Sequence, residues 1–569
     1  MNSVKFMPLF DTLKGYNSSL AYSDLVAAIT VTIMLIPQSL AYALLAGLPP
    51  EVGLYSSILP LIFYAVFGTS GALAVGPVAV IALMTGAAIS QVSEQYTYAP
   101  IEVAVALALL SGGVLILMGI LKMGFIVNFI SRSVIEGFVT ASAILIAISQ
   151  FKHIFAIEVH GHNLYDISLS LFANLGETHL PTLILGSSVL ICLLLIKPAL
   201  NILFNKYGIN NKWAETLPRV APAIMVIITI LLMNFTAIGQ MQINSIGFIP
   251  NGVPKISMIN IDKNLFEILL LPAALLSIIG YIESISVASR FAAKSGEKIN
   301  ANNELVGLGA ANIGSSISAG MPVTGGFSRS VVNFSAGAKT PLSGVMSAIF
   351  IAILVSGMMG FLEQLPKATL AAAIIAAVIG LIDIKKLRET WSFSKSDFSL
   401  MMITILATLF IGVEVGVGTG IILSICLHLY HTSKPHIAII GQVPGTEHFR
   451  NVLRHKVETT PEIIGIRIDE SLYFANASFL EREVIDIANK SELAKHCILL
   501  FSSVSDIDAS ALESLEAINS QLNDLGITLH LSEVKGPVMD KLKNTYLEHE
   551  LEGKIHLSHY QAVQILSNP

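Results

Sequence analysis

Two stretches of this sequence carry residues whose types and spacing could do chemistry through the backbone itself. In Gly320-Met-Pro-Val-Thr-Gly-Gly-Phe-Ser-Arg-Ser330, Pro322 sits in an extended approach, Gly325 and Gly326 form a turn, and the pattern predicts a helix from about Phe327. Gly71-Ala-Leu-Ala-Val-Gly-Pro-Val-Ala-Val80 repeats the plan, with a helix predicted from about Gly76 and Pro77 at its first position, where a missing amide hydrogen costs nothing. A helix that starts inside a membrane leaves its first amides free and presents about half a positive charge, so two facing starts make a site for an anion. Arg329 adds a guanidinium in the first turn, with the hydroxyls of Ser328 and Ser330 beside it. In lipid that charge costs at least about 2.5–3.5 kcal/mol, so it should face a cavity or a partner. The plainer readings are glycine and proline serving helix packing, and a structural arginine at a helix end.

A carboxylate belongs to the same set. Glu283 lies in Leu275-Leu-Ser-Ile-Ile-Gly-Tyr-Ile-Glu-Ser-Ile-Ser-Val-Ala288, central in an otherwise uncharged run, where a carboxyl group can carry a proton. The alternatives are a permanent pair with Arg329 or a bound sodium ion. Gln38 and Tyr42, four residues apart, share one face of the first apolar segment and offer polar groups to a central cavity.

The elements that must position these groups are read from hydropathy. Of 569 residues 53% are hydrophobic and only 13% charged, with a mean hydropathy of +0.72, so water is not the main solvent. About fourteen segments are long or apolar enough for a membrane, near 24–47, 53–68, 73–90, 100–121, 127–151, 180–204 and 218–238, then near 265–291, 302–318, 325–338, 340–360, 366–382, 397–413 and 416–433. The two glycine-rich stretches stand third in each set of seven. Short interrupted segments at matching places in two halves point to a transporter's binding site.

Basic residues of short loops collect on the cytoplasmic side. With the N-terminus inside, Lys122, Arg132, Lys197, Lys206, Lys212, Arg219, Arg290, Lys294, Lys298, Lys385, Lys386, Arg388 and Lys395 fall there, while Glu94, Glu158, Asp166, Glu177, Glu363 and Glu414 fall opposite. Lys152, Lys255 and Lys263 are the outer exceptions. An even number of spans returns the C-terminus to the cytosol. No signal peptide is expected. Cys192, Cys426 and Cys497 follow no metal or disulfide spacing, and the net charge of −6 gives no reason to expect a nucleic acid partner. No nucleophile and base, metal cluster or nucleotide loop is apparent, so an enzyme, a metal and a cofactor are not expected.

The domains expected are 1–23 as a cytoplasmic segment, 24–433 as the membrane domain, 434–460 as a linker and 461–569 as a cytoplasmic domain. The last mixes charge and apolar residues evenly: Ile463–Ile468, Cys497–Phe501 and Thr528–Ser532 read as strands, and 477–490 and 509–524 as helices, an α/β pattern.

Ile36-Pro-Gln-Ser-Leu-Ala-Tyr-Ala-Leu-Leu-Ala-Gly-Leu-Pro-Pro50 with Val52-Gly-Leu-Tyr-Ser56 closely resembles the first-span signature of the SulP sulfate permeases, solute carrier family 26. Ala74–Val80 and Gly326–Thr340 are similar to that family's third-span and tenth-span motifs, and the last domain to its STAS domain. The resemblance implies an α-helical polytopic membrane protein of fourteen segments in two inverted repeats of seven. A core bundle of spans one to four and eight to eleven would move against a gate of the rest. It implies an anion between the third and tenth half-helices, touching Gln38, Tyr42, Gly76, Val78, Ala79, Gly326, Phe327, Ser328 and Arg329, with Glu283 at the cation-coupling position, a homodimer, and a cytosolic partner for the tail. Ser510 matches a position phosphorylated in related regulators, although Ala509 and Ala511 depart from the fuller motif, and Asp508 reads equally as a helix N-cap with Ser510 in its first turn.

The expected function is a secondary active transporter of small anions in the inner membrane, with sulfate preferred over bicarbonate or a dicarboxylate, and proton symport preferred. The alternatives are sodium-coupled bicarbonate symport, anion exchange, an anion channel and a membrane sensor working through the STAS domain.

Overall fold

The computed structural model describes residues 9–567 apart from 130, 160, 162, 208–210, 251, 253, 255, 257–261, 297–298, 358 and 544. Lys255 and Lys298, and the side chains of Glu94, Lys197, Lys206, Lys212 and Arg219, lie outside the described residues. The chain forms two compact units, Met1–Ser424 and Ile425–Pro569.

Fourteen apolar helical segments follow the order expected: α1 Ser18–Leu45, α2 Pro50–Phe67 (broken after Tyr55), α3 Ala79–Gln95, α4 Pro100–Ile120, α5 Arg132–Phe155, α6 Leu180–Tyr207, α7 Asn211–Phe235, α8 Lys263–Ser295, α9 Ala301–Ile317, α10 Phe327–Ser335, α11 Leu342–Gly357, α12 Lys367–Ile379, α13 Lys395–Phe410 and α14 Val413–Ser433. Among the described residues seven helices are long and apolar enough to cross a membrane by length and composition. Of the rest, α3 and α10 are shortened because extended backbone precedes each. Local chemistry sets several ends. Asn17 caps α1 by accepting the Leu20 amide at 3.0 Å, and Asp262 caps α8 by accepting that of Leu265 at 2.8 Å. Gly296, left-handed at φ +75°, closes α8.

The packing divides these helices into two bundles. In one, α9 lies against α4 and α2, α8 against α4, and α1 against α10 and α11; in the other, α5 lies against α12 and α13, and α6 against α7 and α12. The principal contacts between the bundles run from α1 to α7 and α12 and from α3 to α5. Close approach within the first bundle depends on small residues. A Cβ on Gly112 would stand 2.9 Å from the Gly309 carbonyl, and one on Gly309 would stand 2.8 Å from that of Gly112.

Two fully buried carboxylates clamp the same bundle. Asp24 on α1 accepts the amides of Lys339 (2.8 Å) and Thr340 (3.1 Å) after α10. Glu304 on α9 accepts the Tyr64 hydroxyl from α2 and the Thr69 amide from the segment leading to α3, both at 2.7 Å. Saturated by neighbouring donors, each works as a fixed acceptor that ties one half of the chain to the other.

The second unit carries a six-stranded sheet in the order β4-β3-β5-β6-β7-β8, from β3 Ile437–Gln442, β4 Phe449–Asn451, β5 Ile463–Ile468, β6 His496–Leu500, β7 Thr528–Ser532 and β8 Ile555–His556. Strands β5 to β8 run parallel and β3 lies antiparallel to both β4 and β5. The strands and helices read from the sequence occur where expected, with α15 at Ala477–Asn489 and α16 at Ala509–Asp524. Residues 434–460, expected as a linker, supply β3 and β4. Asp508 caps α16 by accepting the Ala511 amide at 2.9 Å, and its other oxygen accepts the Phe474 amide at 2.8 Å. Ser510 sits half-buried in the first turn.

Candidate anion-binding site

The two glycine-rich stretches meet. Val75–Gly76, β1, pairs antiparallel with Thr324–Gly325, β2, in the register Val75 to Gly325 and Gly76 to Thr324. Each strand leads into its half-helix, so the pairing draws the starts of α3 and α10 together. Val78 is the N-cap of α3 and Gly326 that of α10, and neither start has a side-chain cap. The sequence placed the first start too early: Gly76 and Pro77 belong to the extended approach, because Gly76 at φ +154° is held by the ribbon.

Hydroxyl and amide side chains lock the ribbon in place. Ser284 Oγ accepts the Gly325 amide at 2.7 Å and stands 2.7 Å from Thr324 Oγ1, which donates to the Gly280 carbonyl at 2.6 Å. Asn312 bonds both ways to Val323, at 2.9 Å each. Ser330 Oγ accepts the Ala74 amide at 3.0 Å and donates to the Gly326 carbonyl at 2.8 Å. The hydroxyl of Ser330, read from the sequence as a donor near Arg329, is therefore engaged in joining the two approaches.

Arg329 lies behind this junction, 2% exposed, with Nη1 and Nη2 lacking a hydrogen-bond partner. Its guanidinium rests against both glycines, since a Cβ on Gly76 would come within 2.8 Å of Nη1 and one on Gly326 within 3.0 Å of Nη2. A buried, unpartnered guanidinium is costly, and an anionic ligand supplies what it lacks. Tyr42 on α1 and Glu283 on α8 are near enough to interact with it electrostatically. Those free nitrogens also show that Glu283 is not hydrogen-bonded to them.

A cavity of about 230 Å3 reaches the first turns of both half-helices at Val80 and Phe327. Ile279, Ile282 and Glu283 line it from α8, while Ile135, Phe138, Val139, Val417 and Ile421 close it from α5 and α14, so its wall comes from both bundles. Of the residues anticipated from sequence, the structure gathers Gly76, Val78, Ala79, Gly326, Phe327, Ser328 and Arg329 around the two starts, with Glu283 and Phe327 on the cavity wall. Gln38 is half-buried and Tyr42 buried on α1, which packs against α3 and α10, and neither they nor Arg329 line the cavity itself. Sequence reasoning missed Ser284, Thr324 and Asn312. Their one signal was position, Ser284 next to Glu283 and Thr324 next to Gly325.

The sulfate permease family model matches residues 22–404, and the STAS domain model matches residues 454–562. The chain belongs to the sulfate permease family. The chloroplastic sulfate transporter 4.1 of Arabidopsis thaliana is 36% identical over 538 residues, covering 92% of this chain and 77% of that protein. Among solved structures, the murine Solute Carrier 26 family member A9 anion transporter in its inward-facing state superposes with a TM-score of 0.88 at 22% identity, covering 100% of this chain and 96% of that one. The transmembrane domain of the cyanobacterial bicarbonate transporter BicA does so at 0.61 and 21% identity, covering 72% and 98%. These likenesses establish the fold: a multi-pass membrane permease of fourteen segments in two inverted repeats, ending in a STAS domain. Membership of a permease family also agrees with the expectation that the chain is not an enzyme.

Proposed function

We propose that this permease is a secondary active transporter of small anions, with sulfate as its preferred substrate and protons as the coupling ion. The observation that carries the reading is Arg329, buried and unpartnered between two uncapped helix starts. The anion lies at those starts, receiving the amides of α3 and α10 and the guanidinium of Arg329, with Gln38, Tyr42 and Ser328 adding polar contacts. Relatives named as sulfate transporters support sulfate.

Transport proceeds by alternating access. The bundle that holds the half-helices slides against the other as an elevator, carrying the site past the apolar wall of Phe138, Val417 and Ile421. Stitched together by Ser284, Asn312 and Ser330, the half-helices move as one rigid piece. Glu283, on the cavity wall, carries the proton, and neutralising it offsets the charge of the anion. Ser284, next to Glu283 in sequence and 2.7 Å from Thr324 Oγ1, makes sodium the second reading.

Arg132, Arg290 and Lys386, from three separate loops or helix ends, wall one cavity. That convergence supports a cytoplasmic position for this end, with both termini inside, in the inner membrane. The protein works as a homodimer, and its STAS domain meets a cytosolic partner.

The test is reconstitution into liposomes with labelled sulfate, bicarbonate, chloride and dicarboxylates under imposed proton or sodium gradients. Accumulation of sulfate under a proton gradient is expected. Failure of every anion to accumulate under either gradient would end the transporter reading.

A further inference from the structure

The central cavity borders a second one. Four of its wall residues, Ile135, Val139, Arg290 and Leu381, also line this second cavity of about 230 Å3, whose charged lining is Arg132, Glu136, Arg290, Asp383 and Lys386. Two of the three cations already have carboxylates. Arg132 Nε stands 2.9 Å from Glu136 Oε1, and Lys386 Nζ stands 3.9 Å from Glu389 Oε2. Asp383 is engaged as a helix cap, accepting the Lys386 amide at 3.0 Å. Arg290 has no carboxylate partner among the described residues, and its guanidinium stands 5.7 Å over the ring of Phe327.

Arg290 follows Glu283 by seven residues on α8, which places both on one face of the helix about 10 Å apart along its axis. Both line the central cavity, but only Arg290 also lines the second one. The Arg290 guanidinium carries planar N–H donors, a pair of which can take two oxygens of an oxyanion. Arg290 is exposed, and a cation in a cleft with low-dielectric walls raises the local anion concentration.

We propose that this second cavity is an anion subsite, with Arg290 as the cation it shares with the central cavity, and that a small inorganic oxyanion is held there between the aqueous phase and the half-helices. The inference rests on the anion-transport reading. Phe327 opens α10, so the proximity of Arg290 to its ring links this subsite to that half-helix.

Sulfate uptake by the full-length protein in phosphatidylcholine liposomes tests it, as initial rate against concentration for the wild type, Arg290→Gln and Arg290→Lys. At about 10 mM ionic strength Arg290→Gln should raise the half-saturating concentration about three- to tenfold, and at about 300 mM, where charge is screened, most of that gap should close. Arg290→Lys, which keeps the charge and loses the planar fork, should fall between the two. Wild-type saturation by both variants at both ionic strengths would overturn the subsite, and so would an Arg290→Gln defect that salt leaves unchanged. Should Arg290→Gln fail to insert, Arg290→Lys carries the test, and its saturating like the wild type at low salt would likewise overturn the proposal. Absence of uptake by the wild type would instead contradict the transport reading and take the subsite with it.

Discussion

The guanidinium of Arg329 occupies the space that a side chain on Gly76 would need: a Cβ there would stand 2.8 Å from Nη1. The contact explains why a glycine from the first repeat and an arginine from the second, far apart in sequence, belong to one site. It also makes the site sensitive to the smallest of substitutions.

Gly76→Ala is expected to fold and to lose transport. The backbone at φ +154° disfavours any side chain, and the added methyl must displace the arginine. Sulfate uptake should fall at least about tenfold, the effect of a loss of ~1.4 kcal/mol or more of anion binding. A monodisperse profile in detergent beside a flat uptake curve would bear this out, whereas normal uptake would mean that the arginine is not where the anion binds.

Ser284→Ala removes the acceptor of the Gly325 amide and a partner of Thr324 while leaving the apolar packing intact. A buried amide left unpaired costs about 1–3 kcal/mol. The midpoint of thermal unfolding should drop by several degrees, with Ser284→Thr restoring part of the loss. An unchanged midpoint would mean that the ribbon is held without this hydroxyl.

Glu283→Gln separates coupling from binding. The amide cannot exchange a proton, so accumulation driven by a pH gradient should vanish while exchange of labelled for unlabelled sulfate continues. If accumulation survives in the variant and instead disappears on removing sodium, the sodium reading replaces the proton one.

The STAS domain should be acid-sensitive through its buried histidines. Burial pushes His530 down to about 4, helped by His496, His556 and Lys554, and burial with His556 nearby does the same to His559. Each is neutral when folded and has its ordinary value near 6.5 when unfolded, so the unfolded chain binds more protons between the two values. Stability is therefore fully present above about 6.5 and is lost as pH falls toward 4. Urea midpoints of the 434–569 fragment at pH 7.5 and 5 should show the decline, and His530→Gln should flatten it. A midpoint independent of pH would exclude the histidines as the cause.

Much of the membrane unit was legible because hydropathy and small-residue punctuation are local signals. All fourteen segments occur, and the start of α10 at Phe327 was placed from Gly325 and Gly326 alone. Pro77 misled, since proline suits an extended approach as well as a first helical turn, and only the pairing of Val75 with Gly325 decides between them. The same limit hid Asp24 and Glu304. Each is a charge at the edge of an apolar run, and nothing nearby says that its partners are Thr340 and Thr69. In the tail, β3, β4 and β8 were missed, the first two because they lie in the stretch expected as a linker and the last because it spans two residues. The cavity wall was beyond reach as well, since Phe138, Val417 and Phe327 meet only when the two bundles pack.

The central claim is that an anion completes the unpartnered guanidinium between the two helix starts. Its most direct test is sulfate uptake by Arg329→Gln beside the wild type in liposomes. A charge-assisted hydrogen bond is worth ~1.5–3 kcal/mol, so the variant, folded and inserted, should bind sulfate about ten- to a hundredfold more weakly and accumulate almost none. Uptake by Arg329→Gln with the wild-type rate and half-saturating concentration would contradict the account.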